Sequence, residues 1–295
     1  MPLIKLSGEN GFIYEVDTMD SLLGAGATGR VFRACRVNQH TGEKREVAIK
    51  FLFDNLPQEA IERARREAKI HIVDDNLIEM LGFFEVQQKN RQGRMVRRYH
   101  VVSELLLGTR LDNKLEEFFH DSTAFSTKVA IAVLMGLRAL HQHGYIHRDI
   151  DMSNIMILND GRIKLIDLGI AKKTCELETT DKHLTNTGQF LGRPEYAAPE
   201  LVLGDISHQN ETTDIYAVGI LLYRMLVGSF PFSGTDAQIL AAHLQQDVPV
   251  ENIKNRKLRI IVKKATQKSQ NERYQNADNF IQALEKKSFW QLLFG

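Results

Sequence analysis

The stretch His147-Arg148-Asp149-Ile-Asp151-Met-Ser153-Asn154 gathers carboxylate, amide and hydroxyl side chains into one short segment, and Asp167-Leu168-Gly169 follows it. An Asp and an Asn at i and i+5, with a further Asp just beyond, suit one catalytic carboxylate and two hard oxygen ligands for Mg2+. Taken separately, each Asp is more often a cap or turn residue. Upstream, Gly24-Ala-Gly26-Ala-Thr-Gly29-Arg-Val31 is a G-x-G-x-x-G-x-V pattern. Glycines let backbone N–H groups approach phosphates closely, although a plain hairpin turn has the same composition. A strand rather than a helix follows it and no Gly-Lys-Ser/Thr closes it, so it is neither a dinucleotide fingerprint nor a Walker loop. Val47-Ala48-Ile49-Lys50 ends an apolar strand on a cation, and Glu67 stands in Arg-Arg-Glu-Ala-Lys. Lys50 is either a solvated strand end or a cation within reach of phosphates, and Glu67 either an exposed helix carboxylate or its partner.

Elements that must position these residues change character near residue 105. Before it, β-branched and aromatic runs predict strands at Phe12–Val16, Val31–Val37, Glu46–Phe51, Leu81–Gln87 and Tyr99–Glu104. One helix interrupts them over Pro57–Ile72, with Ala60, Ile61, Ala64 and Ala68 at helical spacing. After residue 105, Ala130, Val133, Leu134, Leu137 and Leu140 form an amphipathic stripe, and Ile215–Leu226 is apolar nearly all round and so predicted buried. Between these helices, Ile155–Leu158 and Ile163–Ile166 flank Asn159-Asp160-Gly161, a hairpin signal. The pattern predicts a small sheet-rich lobe and a larger helical one, with a ligand site expected in the cleft between lobes.

Composition narrows the class. The 295 residues carry 38 Lys+Arg against 37 Asp+Glu, a net charge of +1, with 43% hydrophobic residues. That length suits one large domain or two lobes, and the even balance argues against a general nucleic-acid-binding surface, which needs a cationic surplus. No apolar run reaches the roughly 18 residues of a membrane span, and the N-terminus lacks the cationic region and apolar core of a secretion signal, so a cytoplasmic chain without a transmembrane segment is expected. Cys35 and Cys175 lie far apart with no metal-like spacing, which suits a reducing compartment.

Taken in order, the glycine loop, V-A-I-K, the helix Glu, H-R-D with Asn five residues after its Asp, D-L-G, Ala198-Pro199-Glu200, Asp214 and Arg273 resemble the eukaryotic-type (Hanks-type) protein kinases over residues 12–286. The closing stretch Ala265-Thr-Gln-Lys-Ser-Gln-Asn-Glu-Arg273-Tyr is most similar to compact bacterial serine/threonine kinases. The resemblance implies an α+β, bilobal protein kinase fold: a small antiparallel-sheet N-lobe with one main helix over 1–104, a larger mainly helical C-lobe over 105–286 with a hinge at 104–107, and an apolar tail over 287–295. It further implies an ATP-Mg2+-dependent kinase that phosphorylates Ser or Thr of protein substrates. Lys50 would hold the α- and β-phosphates under Gly24, Gly26 and Gly29 and pair with Glu67. Asn154 and Asp167 would hold Mg2+, and Asp149 would accept the substrate hydroxyl hydrogen bond. Val31 and Ala48 would line the adenine pocket, Glu104 to Leu106 would form the hinge, and the small Ser103 at the gatekeeper position implies a roomy back pocket. Glu200 with Arg273, and Asp214, would be scaffold groups.

Two departures qualify this transfer. Asp151 stands where such kinases carry a Lys that touches the γ-phosphate, and in Gly192-Arg193-Pro194-Glu195-Tyr196 an Arg replaces the Thr that normally bonds that Lys. The exchange is complementary, so Asp151 and Arg193 are expected to form an inverted pair in which the guanidinium supplies the missing cation. A pseudokinase or nucleotide-binding scaffold is the alternative those changes favour. A small-molecule phosphotransferase is opposed by Arg148 and Ala-Pro-Glu. His71 falls where an apolar residue is usual. By the resemblance, Arg148 would gather a phosphate on Thr174, Thr179, Thr180, Thr185, Thr187 or Tyr196, with self-association for trans-autophosphorylation; the alternative is a polar loop with incidental threonines. The basic run Lys89, Arg91, Arg94, Arg97 and Arg98 reads as a solvated hairpin tip. Phe289-Trp290-Gln-Leu-Leu-Phe294 is too short to span a bilayer and is expected to pack on the C-lobe.

Overall fold

The computed structural model describes residues 3–9, 11–89, 92–114, 122–168, 171–173 and 192–286. Gly169, Arg91, Cys175, Thr174, Thr179, Thr180, Thr185, Thr187 and the terminal segment 287–295 therefore lie outside the described residues. Two compact units occur: one comprises Met1–Val73, Ile78–Leu107 and Asp167–Gly169, the other Asp74–Leu77, Gly108–Ile166 and Ile170–Gly295.

In the first unit, runs of alternating apolar residues build an antiparallel sheet: β1 (Ile4–Ser7), β2 (Phe12–Val16), β3 (Leu22–Gly26), β4 (Gly29–Asn38), β5 (Lys44–Leu52), β6 (Met80–Lys89) and β7 (Met95–Glu104). The order is β1-β2-β4-β5-β7-β6, with β3 hairpinned onto β4. Val16, Val47, Ile49 and Val102 are fully buried on one face, where Tyr14 stacks on Phe84 at 4.9 Å. Strands β1 and β3 escape sequence prediction because one is very short and the other is glycine-rich. Gly93, at φ 76°, turns the β6–β7 hairpin inside the basic run.

Helix α1 (Gln58–Glu67) stops short of the predicted Ile72. Beyond it Ala68, Ile70 and Ile72 are buried while Lys69 and His71 are exposed. This period of two belongs to extended chain, and continuing the helix would turn Ile70 or Ile72 into water. His71 donates its Nδ1–H to the Met80 carbonyl at 3.1 Å.

The second unit contains β8 (Gly108–Arg110), α2 (Ser122–Gln142), β9 (Tyr145–Ile146), β10 (Ile155–Leu158), β11 (Ile163–Leu165), β12 (Lys172–Lys173), α3 (Pro199–Val202), α4 (Glu211–Val227), α5 (Asp236–Gln245), α6 (Arg256–Ala265) and α7 (Ala277–Glu285). The α2 stripe Ala130, Val133, Leu134, Leu137 and Leu140 is completely buried, and α2 packs on α4, α7 and β11. Within α2, Thr123–Gln142 has the length and apolarity to cross a membrane, but 56% of that window is buried within the fold, as in a core helix. Helix α4 starts at a capping box, Asn210 accepting from Thr212 N–H and Thr213 Oγ1 accepting from Asn210 N–H. Segment Asp74–Leu77 is held in this unit because Asn76 Nδ2 donates to Ile163 O at 2.9 Å and Lys164 Nζ donates to the Asp74 and Leu77 carbonyls at 3.1 Å.

Candidate active site

Strand parity groups the candidate residues of the first unit. In the β4–β5 register Val31 lies opposite Lys50, and in β5–β7 Ala48 lies opposite Ser103. Directly opposed residues share a face, so Val31, Ala48, Lys50 and Ser103 all project from the face opposite Val47 and Ile49. Gly24 pairs with Val31 and Gly26 with Gly29, closing the β3–β4 hairpin at Ala27-Thr28. At Gly29 a Cβ would stand 2.2 Å from the Phe51 carbonyl oxygen, so glycine is required for β4 to pair with β5. At Gly24 and Gly26 a Cβ would meet nothing within 4 Å, so there the missing side chains leave bare, exposed backbone of the kind a phosphate chain can approach. Glu104 Oε1 accepts from Glu79 N–H at 2.8 Å, and Arg45 holds the Glu79 carboxylate at 2.5 Å, which fixes the chain entering the partly buried Leu106.

Asp167 joins Lys50 and Glu67 in this unit despite its distance in sequence. Burial pushes up the Glu67 carboxyl and Asp167 adds to the effect; Lys50 and the Leu168 N–H oppose it, leaving a pKa of about 7. Lys50 acts on Glu67 by charge, since no ion pair joins them among the described residues. A carboxyl that holds its proton more tightly folded than unfolded loses stability for the chain as pH rises from its ordinary 4.5 through about 7. Glu67→Gln is therefore expected to gain on wild type in urea midpoint between about pH 5 and about pH 8. Unfolding titrations at both values check this, and a gap that does not widen with pH would contradict it.

In the second unit, the loop 147–149 hangs from Asp214. That carboxylate, 1% exposed, accepts from His147 N–H, Arg148 N–H and His141 Nε2–H, each at 2.8 Å. Burial alone would raise the Asp214 carboxyl, but the His141 bond, the two histidine charges and the His147 N–H more than offset it, so its pKa is lowered. Arg148 takes φ 68°, a left-handed conformation costly to a non-glycine residue, and two of Asp214's bonds clamp it there. Asp167 has φ 68° as well, which makes these the two non-glycine residues with positive φ among those described. Arg148 Nη1 also donates to the buried Gln209 Oε1 at 3.3 Å. His141 and Gln209 carry no sequence signal, because each acts through a contact made only on folding.

Beyond this clamp Asn154 Nδ2 donates to both Asp149 O, at 2.9 Å, and Asp149 Oδ2, at 3.1 Å. Asp151, 2% exposed, caps the next turn by accepting from Ser153 N–H at 2.5 Å. Its Oδ2 meets Arg193 Nε at 3.0 Å, and Arg193 Nη2 donates to Ser153 Oγ at 3.1 Å. The guanidinium is half exposed, and a pocket lined by Asp149, Arg193, Tyr196 and Leu201 opens beside it. Glu200 and Arg273 form a bidentate pair at 2.8 and 3.0 Å, both nearly fully buried, with Thr213 Oγ1 donating to the same carboxylate. These two, with Asp214, hold the backbone through buried hydrogen bonds.

A protein kinase domain family profile matches residues 18–289. The chain belongs to the protein kinase family. It is 30% identical over 248 residues to the probable serine/threonine-protein kinase PknB of Lactococcus lactis, covering 80% of this chain and 37% of that protein. It is 32% identical over 235 residues to the DNA damage-responsive serine/threonine-protein kinase RqkA of Deinococcus radiodurans, covering 78% of this chain and 32% of that protein. To the probable serine/threonine-protein kinase PknB of Corynebacterium glutamicum it is 30% identical over 234 residues. This kinase chain spans about a third of the length of the curated relatives it matches.

Proposed function

We propose that the chain, with the N-lobe over 1–104 and the C-lobe over 105–286, transfers the γ-phosphoryl group of ATP in the presence of Mg2+ to Ser or Thr hydroxyls of protein substrates, in the cytoplasm where ATP is supplied. Autophosphorylation of a neighbouring copy belongs to the same reading. The observation that carries it is Asn154, whose Nδ2 protons are committed to Asp149. That fixes the carboxylate and leaves the Asn154 Oδ1, a hard oxygen, for a cation. By the kinase motif Asp167 would be the other protein ligand, with phosphates and water completing the Mg2+ shell. Among the described residues no group of three or more His, Cys, Asp or Glu is placed to hold a metal, and the proposed site requires none.

Bound ATP-Mg2+ supplies the phosphoryl group and neutralises charge on it. The chain's residues position and polarise the rest. Lys50 and the bare backbone at Gly24 and Gly26 face the phosphates; Val31, Ala48 and Leu106 enclose the base, with Glu104 at the hinge. Glu67 orients Lys50 once phosphates draw the cation in. Asp149 accepts the hydroxyl proton and aims the oxygen. Arg193, held by Asp151 and Ser153, supplies a cation beside Asp149. A bare Asp151 would repel phosphate, and its 3.0 Å pairing with Arg193 answers that objection.

Radiolabelled ATP with generic protein substrates tests the reading: label is expected on Ser or Thr and is expected to disappear with a Mg2+ chelator. Nucleotide binding without transfer would return the chain to a scaffold. Arg193→Thr is expected to lower kcat/KM about 10- to 100-fold, and the double variant Asp151→Lys with Arg193→Thr, which puts the cation on the loop, is expected to recover most of it. Full activity in Arg193→Thr would remove Arg193 from the mechanism.

A further inference from the structure

His243 on α5 is completely buried, with its ring edge-on to Phe232 at 4.9 Å and beside Tyr216 at 5.7 Å. Its Nε2 lies 3.0 Å from the Glu195 carbonyl oxygen and its Nδ1 2.9 Å from the Tyr216 hydroxyl. A carbonyl only accepts, so Nε2 carries the proton and Nδ1 is bare. Tyr216 must then donate its O–H to Nδ1, and its oxygen accepts from Lys268 Nζ at 3.2 Å. The chain of bonds therefore runs one way, from Lys268 through Tyr216 and His243 to Glu195. Burial, with the Lys268 charge, lowers the His243 pKa to about 4, so the ring stays neutral and the direction of the bonds is kept.

Glu195 lies in the turn Pro194–Tyr196, immediately after Arg193. Pro194 fixes its own φ, and Tyr196 N–H closes onto the Arg193 carbonyl at 3.1 Å. Anchoring the Glu195 carbonyl therefore leaves the turn little freedom to carry Arg193 away from Asp151. Side-chain bonds to the Arg193 guanidinium come from Asp151 and Ser153 alone among the described residues, so its place depends on where this backbone starts it.

We propose that His243 is a positioning residue, which holds Arg193 on Asp151 by anchoring the Glu195 carbonyl, with Tyr216 and Lys268 fixing the imidazole. Its consequence for catalysis rests on the role given above to Arg193, so the contact is read separately from turnover. In heteronuclear NMR of the full chain, the Arg193 Nε–H signal is identified by its loss in Arg193→Lys. His243→Phe keeps the ring packing but removes both bonds, and is expected to speed exchange of that proton about tenfold and lower kcat/KM for phosphotransfer about tenfold. His243→Gln retains one donor and one acceptor and is expected to restore both. Unchanged exchange in His243→Phe would overturn the proposal, and so would equal acceleration in both variants, the mark of packing alone. Should His243→Phe fail to fold, Tyr216→Phe takes its place with a smaller rise expected, and unaltered exchange there overturns the proposal. If wild type transfers no phosphate, the kinase reading fails while the exchange comparison still decides this one.

Discussion

Asp149→Asn is expected to lower phosphotransfer about 10³-fold while leaving ATP affinity within about twofold. An amide in place of the carboxylate has almost the same shape, so the loop keeps its form: Asp214 still clamps His147 and Arg148, and Asn154 still bonds the carbonyl of residue 149. What changes is the atom proposed to receive the hydroxyl proton. The Asp149 Oδ2 that meets Asn154 at 3.1 Å becomes an oxygen without charge or an amide nitrogen that opposes the Asn154 donor. Positioning survives and proton acceptance does not, so kcat falls with little change in nucleotide binding. Single-turnover assays with radiolabelled ATP, set against fluorescent-nucleotide titration, separate the two. A variant that turns over at wild-type rate would take Asp149 out of the reaction.

Arg273→Met is expected to lower unfolding free energy by about 3–5 kcal/mol, more than any exposed ion pair of this chain. Arg273 and Glu200 are 2% and 5% exposed, so removing the guanidinium strands a carboxylate that cannot reach water. Arg273 also donates to the carbonyls of Thr212, Gln267 and Lys268, all of which lose a partner. Adding Glu200→Gln is expected to restore part of the loss, because an uncharged amide is less costly to bury unpaired. The same pair sets a pH response. Burial alone raises the Glu200 carboxyl, but the Arg273 bonds and charge outweigh it and hold its pKa below 4.5. A depressed carboxyl contributes stability that is present above its unfolded value and lost as pH falls through its folded value. Wild type is therefore expected to lose stability in acid more steeply than Glu200→Gln, and parallel denaturation curves below about pH 4.5 would contradict this.

Strand parity shows how far local pattern reaches. The apolar run in Glu46–Phe51 predicts a strand, and the pleat of that strand puts Ala48 and Lys50 on one face and Val47 and Ile49 on the other. The same holds for the α2 stripe, whose five residues are all fully buried. Periodicity works because each turn or pleat must choose between core and water. It fails at Ile70 and Ile72, where helical composition continues but the burial period drops to two. It is silent about β3, whose glycines carry no hydrophobic signal.

By itself the sequence determined the order of motifs, the kinase family, the places of the main strands, the buried stripe of α2, and the complementary exchange of Asp151 and Arg193. Tertiary structure alone decided that Asp167 stands with Lys50 and Glu67, that Asp214 takes His141 as well as two loop N–H groups, and that Arg193 reaches Asp151 at 3.0 Å on a turn held by His243. The division has a physical cause. Burial preference is written residue by residue and repeats with the local backbone, whereas a hydrogen bond or ion pair between distant residues depends on packing of whole elements to within a fraction of an ångström.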